Sequence, residues 1–216
     1  MTPEPAELLA LGTATLYEAA GLPCFLPASL RPVWPGAAVV GTALPVRTAP
    51  GDNLPLHLAL AQADRGDVLV ADAGGAPYGY WGEVLTVAAQ QRGVRGLVID
   101  GGVRDTDRLA ALGFPVFSSS VALAGTAKQD AGRVGAPIRF GPATVARGDL
   151  VVADRDGVVV LPAERVDEIV AAARERARAE AGYLERLRAG ELTVDIYRLR
   201  PGAARDDREG DHGGLP

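Results

Sequence analysis

The sequence predicts an α/β fold: one layered sandwich with a central sheet, flanking helices, short amino-terminal helices and a long carboxy-terminal helix. Three observations predict it. Short apolar runs at 68–71, 97–99 and 158–161, bounded by glycine or charged residues, suit buried strands. Between such runs lie stretches with helical spacing of apolar side chains. A chain of 216 residues with no fixed-period repeat suits one well-buried domain.

In chain order, residues 4–11 and 13–20 read as helices, the second stopped by Gly21. Residues 22–36, with prolines at 23, 27, 32 and 35, read as loop. Residues 37–43 and 44–48 read as strand, interrupted at Pro45, which cannot donate to a ladder. Asp52 or Asn53 then caps a helix over 54–63 that contains His57. A strand at 66–71 leads into a loop whose four glycines allow close backbone approach to a ligand. No Gly-Lys-Ser/Thr follows, so it is not a phosphate loop. Residues 81–91 read as an amphipathic helix with Val84, Leu85, Val87, Ala88 and Ala89 on its apolar face, ended by Gly93. The strand at 97–99 is expected to break at Gly101 and Gly102. A helix over 106–112, a strand over 115–119 and a connection over 121–136 come next. Short strands at 138–140, 143–145, 149–153 and 157–161 alternate with turns, and the block over 147–162 folds back across the sheet. Pro162 opens the longest helix, 163–189, so polar after Val170 that it faces solvent or leans on another subunit. Residues 194–197 dock on the fold, giving a single domain over 1–200, and 201–216 form a disordered tail.

Composition excludes several classes. A net charge of −5 argues against nucleic acid. The longest apolar runs are far too short to span a bilayer, and the acidic amino terminus shows no secretory pattern. With one cysteine, Cys24, the expected compartment is the cytoplasm. Lys128 is the only lysine and lies in no evident apolar pocket, which argues against Schiff-base chemistry. The only histidines are His57 and His212, so a metal must be held mainly by oxygen, pointing to Mg2+ or Mn2+. Ser118, Ser119 and Ser120 lack a nucleophile elbow and a histidine base.

The candidate site lies between Gly82 and Asp105. Arg104 and Asp105 follow a strand at its carboxyl end, where α/β sheets bind ligands. The helix starting nearby exposes free N–H groups at Gly82, Glu83, Val84 and Leu85, a place for an anion. One acid, one guanidinium and one further carboxylate thus converge on a small anionic substrate. Each also has an ordinary reading: Glu83 complements a helix dipole, Asp105 caps the next helix, and Arg104 is a surface cation.

Glu83, twenty intervening residues, then Arg104-Asp105 resembles the family that contains the RraA-like proteins and the class II pyruvate aldolases. Those aldolases act on 4-hydroxy-4-methyl-2-oxoglutarate and 4-carboxy-4-hydroxy-2-oxoadipate. The family more often carries Asp where this chain has Glu83, while RraA regulators lack an acid there. The resemblance spans about residues 13–197. It implies the swivelling β/β/α-like RraA fold and trimers or hexamers with sites between subunits. It implies a metal-dependent lyase that releases pyruvate from a 4-hydroxy-2-oxo acid, with oxaloacetate decarboxylation as a side activity. Asp105 would hold the metal, Arg104 the substrate's oxygens, and Glu83 would act as base. His57 lies in a segment that approaches the family's site, and Glu18, Glu175 or Glu180 could reach a neighbouring subunit's. The alternatives are a non-enzymatic regulator that binds a protein partner and a related lyase or hydratase acting on another oxo acid.

Overall fold

The computed structural model describes residues 3–200; the expected tail at 201–216 lies outside them. Among the described residues the core is a sheet of nine strands, with the short β1 (Arg31–Pro32) at one edge. Its parallel centre comprises β2 (Val39–Arg47), β3 (Asp67–Asp72), β5 (Gly96–Val103) and β6 (Val116–Val121). β10 (Leu150–Ala153) and β11 (Val158–Leu161) extend it antiparallel beyond β2. This is the expected folding-back of the carboxy-terminal strands.

Alternation along the central strands shows that both faces are covered. Leu69 and Ala71 of β3 and Leu97 and Ile99 of β5 pack under α3 (Leu54–Gln62), α4 (Glu83–Arg92) and α5 (Thr106–Ala111). Val68, Val70 and Val98 point the other way, into a cluster with the hairpin β8 (Ile138–Phe140) and β9 (Ala143–Val145). At the β10–β11 end, α1 (Pro5–Leu11), α2 (Thr13–Ala20) and α6 (Val166–Arg188) close a third cluster around Leu16, Val159 and Ile169. Cys24 is buried there, and burial pushes its thiol up to about 11 against an opposing backbone hydrogen bond and the Arg165 charge. A thiol with that pKa is a packing group rather than a nucleophile.

Several sequence expectations need correction. β2 runs unbroken through Pro45, because β10 pairs only with 39–42 and β7 (Arg133–Val134) only with 46–47. Pro45 falls in the gap between those partners, so no strand needs its missing N–H, while its carbonyl accepts Gly135 N at 2.9 Å. β5 likewise continues through Gly101 and Gly102. A side chain at Gly101 would press on the Tyr80 ring, and one at Gly102 on the Tyr78 carbonyl, so these glycines permit close approach rather than a turn. Glycine in a strand costs about 0.5–1 kcal/mol, less than the roughly 1.5–3 kcal/mol from fully burying each of Leu97 and Ile99. The strand therefore survives.

The long helix divides in two. Its first turns bury Ile169, Val170 and Ala173 against this chain's own α1 and α2, and the remainder is exposed or half-buried. Arg174 pairs with Glu7 at 2.6 Å, and Arg176 with both Glu18 and Glu180. α7 (Thr193–Ile196) docks on it through buried Ile196 and an edge-on contact between Tyr183 and Tyr197.

Candidate active site

The site begins with a strand that sequence reading missed. β4 (Gly79–Trp81), inside the glycine-rich loop, pairs in parallel with β5 just beyond the point where β3 stops. It therefore runs beside the last residues of β5, and Arg104 N donates to Trp81 O at 2.9 Å. The helix consequently begins at Glu83, not at 81. The twenty-residue interval between Glu83 and Arg104 is then accounted for by the rest of α4, a turn at Gly93 and β5. What looks like spacing in sequence is one loop of chain returning to its starting point.

Asp105 does not cap its own helix. Its backbone is left-handed at φ 57°, a conformation Asp tolerates better than most residues, and its Oδ2 accepts from Glu83 N at 3.1 Å. The carboxylate thus sits on the positive end of α4. Arg104 Nε lies 3.9 Å from the same oxygen, and both side chains are partly exposed. A Cβ on Gly82 would overlap Asp105 Oδ2 and crowd Arg104 Cγ, so a side chain here would displace the carboxylate.

These residues open on a cleft of about 280 Å³. Gly82, Val84, Leu85, Arg104 and Asp105 form one wall. Gly79, Tyr80 and Trp81 are also in the lining, with Trp81 fixed by Nε1 donating to Thr86 Oγ1 at 2.7 Å. The other wall is Asn53 and His57 with the 125–128 segment, including Thr126 and Lys128. Glu83 is not in the lining; its N–H serves Asp105 and its side chain is exposed at the rim. Of the four expected N–H donors, Glu83's is occupied, and those of Val84 and Leu85 find no acceptor among the described residues. The apolar face expected for α4 is also redrawn: Leu85, Thr86 and Ala89 are buried, whereas Val84 is 80% and Val87 44% exposed.

Lys128 and Asn53 are not legible as site residues in the sequence, and His57 lines the cleft beside them. The tie between their segments is Asp52. Its Oδ1 accepts from Leu54 N at 2.8 Å, and its Oδ2 from Gln129 N at 2.7 Å and Asp130 N at 3.0 Å. Burial raises its pKa, but these backbone donors and the Lys128 charge outweigh that and hold the carboxyl below the usual carboxylate range. The anchor therefore contributes stability above pH about 4 and loses it only as acid protonates the folded state. Asn53 donates Nδ2 to Tyr80 O at 3.0 Å, and its buried Oδ1 finds no partner among the described residues. His57 has its pKa lowered by burial and by Lys128, so it is neutral at pH 7.

Glu18 and Glu180 do not line this chain's cleft, and both are engaged by Arg176. Among the described residues, Asp105 is the only carboxylate in the lining, and no group of three or more His, Cys, Asp or Glu able to hold a metal occurs. Such a donor set fits Mg2+ or Mn2+ only as an ion gripped by one carboxylate and completed by substrate and water. It does not fit zinc. No helix among the described residues is long and apolar enough to cross a membrane.

Comparison with known proteins gives the family and the fold. A family model described as RraA-like, Aldolase/RraA, matches residues 13–160. A Halalkalibacterium halodurans protein named "Putative 4-hydroxy-4-methyl-2-oxoglutarate aldolase" is 34% identical over 152 residues, 70% of this chain and 72% of that one. An uncharacterized protein from Pseudomonas syringae pv. tomato, of solved structure, superposes with a TM-score of 0.80 at 28% identity, covering 90% of this chain and 92% of that one. RraAS2 of Streptomyces coelicolor, described as an unusual member of the RNase ES inhibitor RraA protein family, gives a TM-score of 0.70 at 30% identity, covering 82% of this chain and 92% of that one.

Proposed function

The chain belongs to the RraA-like (Aldolase/RraA) family, and from that premise we propose that it is a metal-dependent carbon–carbon lyase releasing pyruvate from a 4-hydroxy-2-oxo acid. The observation that carries this reading is the meeting of Arg104 and Asp105 with the amino terminus of α4 in one cleft. Asp105 would hold a divalent ion, which when bound supplies Lewis-acid stabilisation to charge on a substrate oxygen.

The chain's own groups do the rest. Arg104 offers N–H donors to the C2 oxygen or the neighbouring carboxylate, and the Val84 and Leu85 N–H groups receive the other carboxylate oxygen. Glu83, directly or through water, takes the proton of the C4 hydroxyl from the rim. The O–H electrons form the new C4 carbonyl, the C3–C4 bond breaks, and its pair moves to C3 as the enolate of pyruvate. Protonation at C3 completes the products. Decarboxylation of oxaloacetate passes through the same enolate without needing hydroxyl deprotonation, so it is the expected side activity.

Incubation with Mg2+ and oxaloacetate, with pyruvate detected by a coupled assay, tests the reading: pyruvate should form, stop on chelation and resume when metal is restored. No pyruvate above the metal-only background would favour the second reading, a regulator like the inhibitor family of the Streptomyces neighbour. In Glu83→Gln, aldol cleavage should fall by at least about 10²-fold, as for loss of a general base, while decarboxylation survives better. Equal losses would remove Glu83 as the base. A homo-oligomer, trimer or hexamer, is the assembly the family resemblance implies, and exposed Val84, Val87, Val121 (63%) and Leu123 (86%) are side chains that it would cover. The check is a solution mass of three or six times 22.3 kDa.

A further inference from the structure

We propose that Tyr80 is a positioning residue: its phenol oxygen, through Gly51, sets the distance between the two walls of the cleft. The inference rests on the lyase reading, since wall spacing governs how firmly that site holds its oxo acid. β4 fixes the residue to the wall that carries Arg104 and Asp105. Gly79 and Trp81, on either side of Tyr80 in sequence, register with Gly102 and Val103 of β5, and Trp81 O accepts from Arg104 N. From that base Tyr80 reaches the opposite wall twice. Its phenol oxygen accepts from Gly51 N at 2.7 Å, and its backbone carbonyl accepts from Asn53 Nδ2 at 3.0 Å. The side chain is fully buried and has little room to swing. A Cβ on Gly101 would stand 3.1 Å from the ring, and Tyr78 meets it edge-on with 6.1 Å between centroids.

What Tyr80 holds is the hub of the far wall. Gly51 has a left-handed backbone, φ 78°, and no side chain to pack, so hydrogen bonds give it its place. Its N–H goes to Tyr80, and its carbonyl accepts from Ala127 N at 2.8 Å. Asn53 N returns to Ala127 O at 3.0 Å, and Asp52 Oδ2 takes the N–H groups of Gln129 and Asp130. A shift at Gly51 is therefore passed to the 125–128 segment and to the start of α3, which together line that wall. Burial raises the phenol's pKa against the opposing Gly51 N–H bond, and Tyr78 and Asp52 raise it further. The strut is thus neutral and intact near pH 7. Without the oxygen, Gly51 N–H must find water instead, and the turn that carries Asp52 and Asn53 loosens from β4.

The test is Tyr80→Phe, which removes one oxygen and keeps the ring. Hydrogen exchange of the full chain should show the amides of Gly51, Ala127, Gln129 and Asp130 exchanging at least about tenfold faster, the scale of one hydrogen bond, while those of α4 and β5 stay within about twofold. In the same variant the KM for oxaloacetate with Mg2+ should rise at least about fivefold with kcat within about twofold, the split expected when ground-state and transition-state contacts weaken alike. Thr13→Val is the control for plain destabilisation. Thr13 Oγ1 donates to Asp154 Oδ1 at 2.7 Å where α2 begins, outside the cleft lining, so its loss should lower Tm and leave KM alone. If Tyr80→Phe only melts earlier, as Thr13→Val does, with KM unchanged, Tyr80 is a packing group and the proposal falls. Unchanged exchange at Ala127, Gln129 and Asp130 overturns it too, since the strut would then transmit nothing. Exchange is independent of turnover: the expected exchange pattern in a protein that forms no pyruvate would leave Tyr80 as the strut of the wall and the lyase reading fallen. Pyruvate formation by the parent, with exchange in Tyr80→Phe unchanged, would do the reverse.

Discussion

Replacing Arg104 by lysine should lower turnover of oxaloacetate by at least about 10²-fold, the scale of losing one donor aimed at a developing oxyanion. The charge is retained, so the expected loss measures geometry. Arg104 enters the cleft from a fixed start: its N–H is tied to Trp81 O, and its Cδ passes 3.0 Å from where a Cβ on Gly79 would stand. From there a guanidinium presents planar N–H groups to two oxygens at once, whereas an ammonium acts as one strongly hydrated point. The ion pair with Asp105 is long and half-exposed and contributes little to folding. Stability should therefore barely change while kcat falls. Steady-state kinetics beside a melting curve decides it, and near-normal kcat in Arg104→Lys would sink the proposed contact.

The difference between what the sequence disclosed and what it hid has a physical basis. Helices with glycine or proline punctuation and strands buried on both faces were readable, because their periodicity is local. β4 was not. Three residues in a glycine-rich loop have no period to read, and their conformation comes from β5, about twenty residues away in sequence. Gly101 and Gly102 misled for a related reason: glycine signals a turn or a close contact, and only the neighbouring Tyr78 and Tyr80 decide which. In the cleft, Arg104 and Asp105 could be found because a short motif carries them. Lys128 could not, since it reaches the wall through Asp52 and the bridge to Ala127, a tie made across about seventy-five residues. Its signal is scarcity, as the only lysine in the chain, and scarcity bears on amine chemistry without placing the residue in the fold.

Asp105→Asn should abolish metal-dependent turnover, a fall of at least about 10³-fold, in a protein that melts close to the parent. The choice of Asn over Ala follows from the backbone. At φ 57° a residue without a short polar side chain costs about 1–2 kcal/mol, a few degrees in Tm for a domain of this size. Ala would also leave Glu83 N without its acceptor. An inactive Asp105→Ala would thus confuse a disturbed α4 amino terminus with a lost ligand. Asn tolerates the left-handed backbone and keeps an oxygen for Glu83 N, removing only the charge that a divalent ion needs. Calorimetric titration with Mn2+ should then lose its heat in parallel with activity. If Asp105→Asn keeps metal-dependent pyruvate formation, the carboxylate is a helix anchor and the ion is held elsewhere. If it is inactive but still binds Mn2+ like the parent, Asp105 acts on the substrate and not on the metal.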